Sequence, residues 1–171
     1  LDSFAVSGSG VMALEENHLY TVEAIREYLR HLQPGGILAI TRWLKIPPRD
    51  SLKLAATVIE ALQREGFDDP GGRLLMIRSW NTATLLVSHD AVSTAQIQAA
   101  TEFSRARSFD VAWHPGMNQS EANRFNRLER PWLHEGFQAL LGQDADAYFE
   151  RYKFNIEPAT DNRPYFFNFF R

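Results

Sequence analysis

The sequence predicts an α/β fold with a mostly parallel sheet. Three observations carry that prediction. Amphipathic helical stretches alternate with short strand-like runs, the order that builds crossover units with strands set parallel. One run, Ile37-Leu38-Ala39-Ile40, is apolar at every position, as in a strand buried on both faces. Proline- and glycine-rich turns bound these stretches and the loops are short, as in a compact domain.

Taken in order, Leu1-Asp2-Ser3-Phe4 reads as the tail of a strand and Ser7-Gly8-Ser9-Gly10 as a flexible turn. A helix of about 13 residues follows from Tyr20, because Leu19, Val22, Ile25, Leu29 and Leu32 share one face. Glu23 in its first turn and Arg30 and His31 in its last suit the helix dipole. Pro34-Gly35-Gly36 stops it before the Ile37 strand, and Pro47-Pro48 breaks the chain again. Asp50 is the expected cap of a second helix with Leu52, Ala55, Val58, Ile59 and Leu62 on its apolar face and Gly66 in its C-terminal turn.

After Asp68-Asp69-Pro70-Gly71-Gly72 come two strand-like runs, Leu74 to Trp80 and Thr82 to Val87. With Asn81 alone between them, they form either a tight antiparallel pair or one bent strand. Ser93 and Gln96 make a capping-box pattern for a third helix over 94–107, and Phe109 to Trp113 is the last expected strand. From His114 the texture changes, with short helical pieces expected at 120–127, 131–141 and 144–151. Pro131 suits a first helical position and Gly142 a C-terminal cap. The domain reading is therefore 1–113 as the α/β portion and 114–171 as a helical, aromatic-rich extension packed on it.

The chain has 171 residues, of which 44% are hydrophobic and 23% charged, which excludes disorder, collagen and coiled coil. A net charge of -3 gives no nucleic-acid footprint. The chain has no cysteine, which excludes a disulfide framework, cysteine-bound zinc, an iron–sulfur cluster and a cysteine nucleophile. No apolar stretch reaches the roughly 18 residues of a membrane span, and no signal peptide is visible. Leu1 at the start and the apolar run Tyr165 to Phe170 at the end lead us to expect a longer parent chain.

Candidate chemistry gathers at strand ends. In open α/β sheets ligands sit beyond the carboxyl ends of strands, which here places Thr41, Arg42 and Trp43 at such an edge. Arg42 and Trp43 either hold an anionic or planar group or make a surface cation–π pair with each other. Asp2 either orients and deprotonates an amine or caps the following turn. Thr160-Asp161-Asn162-Arg163-Pro164-Tyr165-Phe166-Phe167 reads as a turn followed by an edge strand that buries aromatics. Alternatively, Asp161 and Arg163 line a pocket or anchor a lid. Trp113-His114-Pro115-Gly116 and Asn123-Arg124-Phe125-Asn126 are comparable loops. There is no G-x-G-x-x-G, no Walker A pattern, no G-x-S-x-G elbow and no histidine pair at metal-ligand spacing.

Asp2-Ser3, Asn17-His18-Leu19-Tyr20-Thr21-Val22-Glu23 and Leu32-Gln33-Pro34-Gly35-Gly36-Ile37-Leu38, in that order, resemble the second half of a spermidine/spermine-synthase-like domain. The closing Pro158-Ala159-Thr160-Asp161-Asn162-Arg163-Pro164-Tyr165-Phe166-Phe167 resembles the tail of the membrane-associated branch of that aminopropyltransferase-like family. The resemblance covers roughly residues 1–90 and the tail. It implies the C-terminal half of a Rossmann-like methyltransferase fold. It also implies S-adenosylmethionine or its decarboxylated form as cofactor, held by a glycine-rich loop upstream of Leu1, so that this chain alone binds it weakly or not at all.

On the same resemblance Asp2 is the catalytic residue that holds and deprotonates an acceptor amine. Ser3 and Tyr20, in the matched segments, join Arg42, Trp43 and Asp161 in the expected substrate-binding set. The family's Asp-Ser-x-Asp-Pro pattern reads Asp2-Ser3-Phe4-Ala5-Val6 here. The second carboxylate is missing, a loss of about 2–5 kcal/mol for a buried dicationic polyamine. The expectation is therefore methyl or aminopropyl transfer to an open choice of small-molecule acceptor. The alternative is a non-catalytic cytoplasmic module of a membrane protein, on the cytoplasmic face. Self-association is also expected, because an incomplete sheet leaves an edge to pair.

Overall fold

A computed structural model describes residues 15–171. A 3-10 turn over His18–Tyr20 leads into α1 (Val22–His31). Thr21 caps α1 by accepting the Ala24 N–H, and Val22, Ile25 and Leu29 are buried along one face. Gly35, at φ +75°, turns the chain into β1 (Ile37–Trp43), a conformation open to a residue without Cβ. Then come α2 (Asp50–Arg64), β2 (Leu74–Arg78), β3 (Thr82–Ser88), α3 (Thr94–Ala106), β4 (Asp110–Trp113), α4 (Trp132–Leu141) and α5 (Ala145–Arg151). Ser93 and Gln96 form the expected capping box on α3.

The sheet is not mostly parallel. Its order is β1-β3-β2-β4 and every neighbouring pair is antiparallel. The expected parallel, Rossmann-like sheet is thereby overturned. The cause lies in the three residues Ser79-Trp80-Asn81 that join β2 to β3. They are too few for a crossover, so the Leu74 and Thr82 runs fold back as a hairpin. Strands joined through a helix, β1 to β2 and β3 to β4, do run in the same sense. Neither pair is adjacent, because β3 returns between β1 and β2 and β2 lies between β3 and β4. Alternating helices and strands thus fixed strand direction without fixing neighbours.

Alternate side chains of the strands face opposite ways. Leu74, Met76, Ala83, Leu85, Val87 and Ala112 join one core with α1, α2 and α4, whose contributions include Ile25, Leu52, Val58, Leu62, Leu133 and Phe137. Trp113 stacks on Phe137 with ring centroids 5.1 Å apart, fixing α4 to the end of β4. On the opposite face α3 packs on β4 and β2. That leaves β1 with Ile37, Ala39, Thr41 and Trp43 exposed.

Three local expectations change. Asp50 is the first residue of α2 and is buried, while Arg49 holds the cap position without a side-chain bond. The stretch 120–127 contributes only the 3-10 turn Gln119–Glu121. Beyond it Asn123 takes φ +60°, and the Asp110 carboxylate accepts the consecutive backbone N–H groups of Arg124, Phe125 and Asn126, which removes them from any helical ladder. The tail forms no edge strand. Thr160 and Arg163 close a bridge, and Phe166 and Phe169 are buried from irregular backbone.

Candidate functional site

Three distant segments meet at the carboxyl end of β1. Arg42 projects from β1 toward the core side and is only 7% exposed. Its guanidinium lies 5.0 Å from the Tyr20 ring centroid, 4.9 Å from Phe167 and 5.9 Å from Phe166. Its Nη1 donates to the Tyr20 hydroxyl at 3.1 Å. Tyr20 packs in turn on Phe166, centroid to centroid 4.9 Å. A guanidinium so enclosed is held by the negative faces of the rings, an interaction worth ~2 kcal/mol when desolvated.

The second half of the site is polar. Thr21, the cap of α1, donates its hydroxyl proton to Asp161 Oδ1 at 2.7 Å. The Asp161 backbone N–H donates to Glu23 Oε2 at 3.0 Å, and His18 Nδ1 lies 3.7 Å from Asp161 Oδ1. Backbone bonds stitch the two segments together, Asn17 N–H to the Pro164 carbonyl at 2.7 Å and Val22 N–H to the Ala159 carbonyl at 2.8 Å. The carboxylates of Glu16 and Asp161 face solvent beside His18. The result is an acidic, solvent-exposed rim above an aromatic floor. Such a surface attracts a cationic or amine-bearing molecule and repels an anion.

Lys53 holds the floor from beneath. It emerges from α2, is buried, and donates to the carbonyls of Asn168 at 2.8 Å and Tyr165 at 3.2 Å. Burial depresses its ammonium to about 8, with Glu157 and Asp50 opposing the shift.

Of the residues expected from sequence, Tyr20 and Arg42 are in direct contact, and Asp161 joins them through Thr21. Trp43 departs from them. It alternates to the other face of β1 and is 60% exposed, so Arg42 makes its cation–π contacts with Tyr20, Phe166 and Phe167 instead. Asp2 and Ser3 lie outside the described residues, as do the Leu1 strand and the Ser7 turn. Sequence reasoning missed Thr21 and Lys53 as parts of this site. Thr21 carried a signal, a hydroxyl residue directly before an apolar helical run. Lys53 carried none, because a lysine beside Leu52 reads as the solvent edge of a helix.

One other cluster is structural by its bonding. Asp110 and Arg78 form a buried ion pair at 3.2 Å. Burial alone would raise the Asp110 carboxyl, but the backbone N–H groups of Phe125, Asn126 and Arg124 and the Arg78 charge outweigh it and hold the group below its ordinary value. Arg78 also donates to Asn123 Oδ1 and to the Asn126 carbonyl, which ties the Asn123 loop to β2. A cavity of about 530 Å³ lies on the other face of the sheet, between its strands and α3. Its lining is nearly all apolar, and Tyr20, Arg42, Trp43 and Asp161 take no part in it.

Among the described residues no group of three or more histidines and carboxylates could hold a metal ion, and no helix is long and apolar enough to cross a membrane. Compared with protein-family models, with curated protein sequences and with solved structures, the chain matches none.

Proposed function

We propose that this chain supplies the acceptor side of a sulfonium-dependent transferase resembling spermidine synthase, which passes a methyl or aminopropyl group to a small nucleophile such as an amine. One observation carries the reading. Two of the segments that bear the resemblance, Asn17–Glu23 and Thr160–Phe167, are 140 residues apart at Thr21 and Asp161 yet close on each other beside Arg42. Packing needs alone are met by Phe166; they do not call for an exposed carboxylate rim as well. In this reading the rim of Glu16 and Asp161 draws in a cationic acceptor, and the Tyr20 and Phe167 rings give its carbon chain an apolar rest.

The described residues contain no glycine-rich loop after a strand that would cradle an adenosyl group. They fit the acceptor and not S-adenosylmethionine or its decarboxylated form. No transfer step is assigned to them. As partners the reading includes a small-molecule acceptor and a second copy of the chain, and as location the cytoplasmic face of a membrane to which the parent is anchored.

A second reading, a non-catalytic module of a membrane protein, is favoured by a different observation. The hydroxyls of Tyr20 and Thr21 and the Oδ1 of Asp161 are engaged in bonds within the chain. Calorimetric titration of the gene's full-length product with S-adenosylmethionine, its decarboxylated form and methylthioadenosine separates the two. Binding of any of the three supports the transferase, and the preferred one tells methyl from aminopropyl transfer. A folded protein that binds none of them is the silent module.

A further inference from the structure

Among the described residues, one side of β1 carries a row of backbone hydrogen-bonding groups that no strand takes up, and its register can be read. The His89 N–H donates to the Gly36 carbonyl, and the Leu44 N–H to the Asn81 carbonyl. In an antiparallel ladder these bonds recur at every second residue. Even-numbered residues of β1 therefore direct their backbone groups at β3, and Ile37, Ala39, Thr41 and Trp43 direct theirs outward. Among the described residues no strand pairs with that side. The opposite edge of the sheet, β4, is only four residues long, a common protection against pairing. β1 has seven residues, no proline, and one charged side chain, Arg42, which is turned to the core.

We propose that this edge pairs with β1 of a second copy of the chain, antiparallel about a two-fold axis at Ile40. This inference specifies the self-association named above and does not depend on the transferase reading. Centred at Ile40, the pairing sets Ile37 opposite the partner's Trp43 and Ala39 opposite the partner's Thr41. All four outward residues then become hydrogen-bonded pairs. Shifting the axis to Ala39 or Thr41 leaves one of the four without a partner.

Two independent features match that register. Ile37 and Trp43 are 48% and 60% exposed, on the same face of β1. Set opposite each other, they cover one another twice, an aromatic–β-branched cross-strand pair. The exposed Lys45 falls opposite the partner's Gly35, whose N–H is bonded to the Asp90 carboxylate at 2.7 Å. Gly35 has no side chain, and the position a Cβ would take there is open space, so the Lys45 ammonium can reach across it to the partner's Asp90. The interface is isologous, with each complementary pair made twice.

Sedimentation equilibrium of the chain across the micromolar range tests the proposal, and a dimer is expected. Thr41→Pro removes an outward N–H without touching the β1–β3 ladder, which edge strands tolerate, and is expected to give a folded monomer. Lys45→Glu is expected to weaken the dimer about tenfold or more, and Lys45→Glu with Asp90→Lys to restore it. Because the chain has no cysteine, a mixture of Ala39→Cys and Thr41→Cys proteins is expected to form a mixed disulfide on mild oxidation, and neither protein alone to do so. This arm holds even if the proline variant fails to fold. A monomer at all concentrations overturns the proposal, as does a dimer that Thr41→Pro leaves intact or a crosslink formed by one cysteine variant alone. A monomer would leave the transferase reading standing, and failure to bind any sulfonium ligand would leave the dimer standing.

Discussion

The Thr21 hydroxyl donates to the Asp161 carboxylate at 2.7 Å across 140 residues of sequence while accepting the Ala24 N–H as the cap of α1. One side chain thus starts a helix and docks the tail. Thr21→Ala removes both bonds and is expected to cost ~1–2 kcal/mol. Thr21→Ser keeps both and is expected to cost little. Chemical denaturation distinguishes them, and equal losses in the two variants would deny the hydroxyl its double role.

Arg42 meets three rings at once, between 4.9 and 5.9 Å from their centroids. A planar guanidinium lies over ring faces in a way that an ammonium does not. Arg42→Lys is expected to lose ~1–2 kcal/mol and to speed hydrogen exchange in residues 159–167. Tyr20→Phe leaves the ring and removes only the 3.1 Å bond, so its loss is expected near ~1 kcal/mol.

Lys53 is charged at neutral pH against the cost of its burial, which brings its titration down to about 8. In the unfolded chain a lysine titrates near ~10.4. Between those values the unfolded state binds more protons, so the Lys53 contribution makes stability rise with pH across that window. Resonances of the Lys53 side chain are expected to titrate with a midpoint near 8 and to shift those of Tyr165 and Asn168. A midpoint at the ordinary lysine value would contradict its burial.

Asp110 behaves in the opposite sense. Its folded value lies below the ordinary carboxylate value, held there by three backbone N–H groups and Arg78. Its stabilising contribution is complete above the unfolded value of ~3.9 and is lost as pH falls through the folded one. Asp110→Asn leaves the Arg78 charge buried without its counter-ion, at an expected cost of ~3–5 kcal/mol. Acid denaturation of that variant is expected to show a shallower loss at low pH than the parent chain.

Gly136 sits in α4 where its missing Cβ would strike the methyl groups of Leu52, itself fully buried in α2. Alanine gains ~1 kcal/mol in helix propensity over glycine, and overpacking costs ~1–3 kcal/mol. With Leu52 confined, the clash dominates, and Gly136→Ala is expected to lower the melting temperature.

The sequence by itself determined where most elements lie. The spacing of Val22, Ile25 and Leu29 marked α1, Ser93 with Gln96 marked the start of α3, and Pro131 and Gly142 bounded α4. These are local signals, set by the period of a helix and by the hydrogen-bonding needs of its ends. The sequence also brought Tyr20, Arg42 and Asp161 forward as site candidates, because their residue types stood out in short segments. Tertiary structure alone decided which strands are neighbours. Periodicity records which face of a strand is apolar and not which edge it bonds, so the place of β3 between β1 and β2 was not legible. It also decided which way each β1 side chain points, sending Arg42 into the aromatic tail and Trp43 to the open face. Lys53 was settled last of all, since its partners are carbonyls more than a hundred residues away. Backbone acceptors of that kind are the same at every residue, and only packing brings one of them to a given side chain.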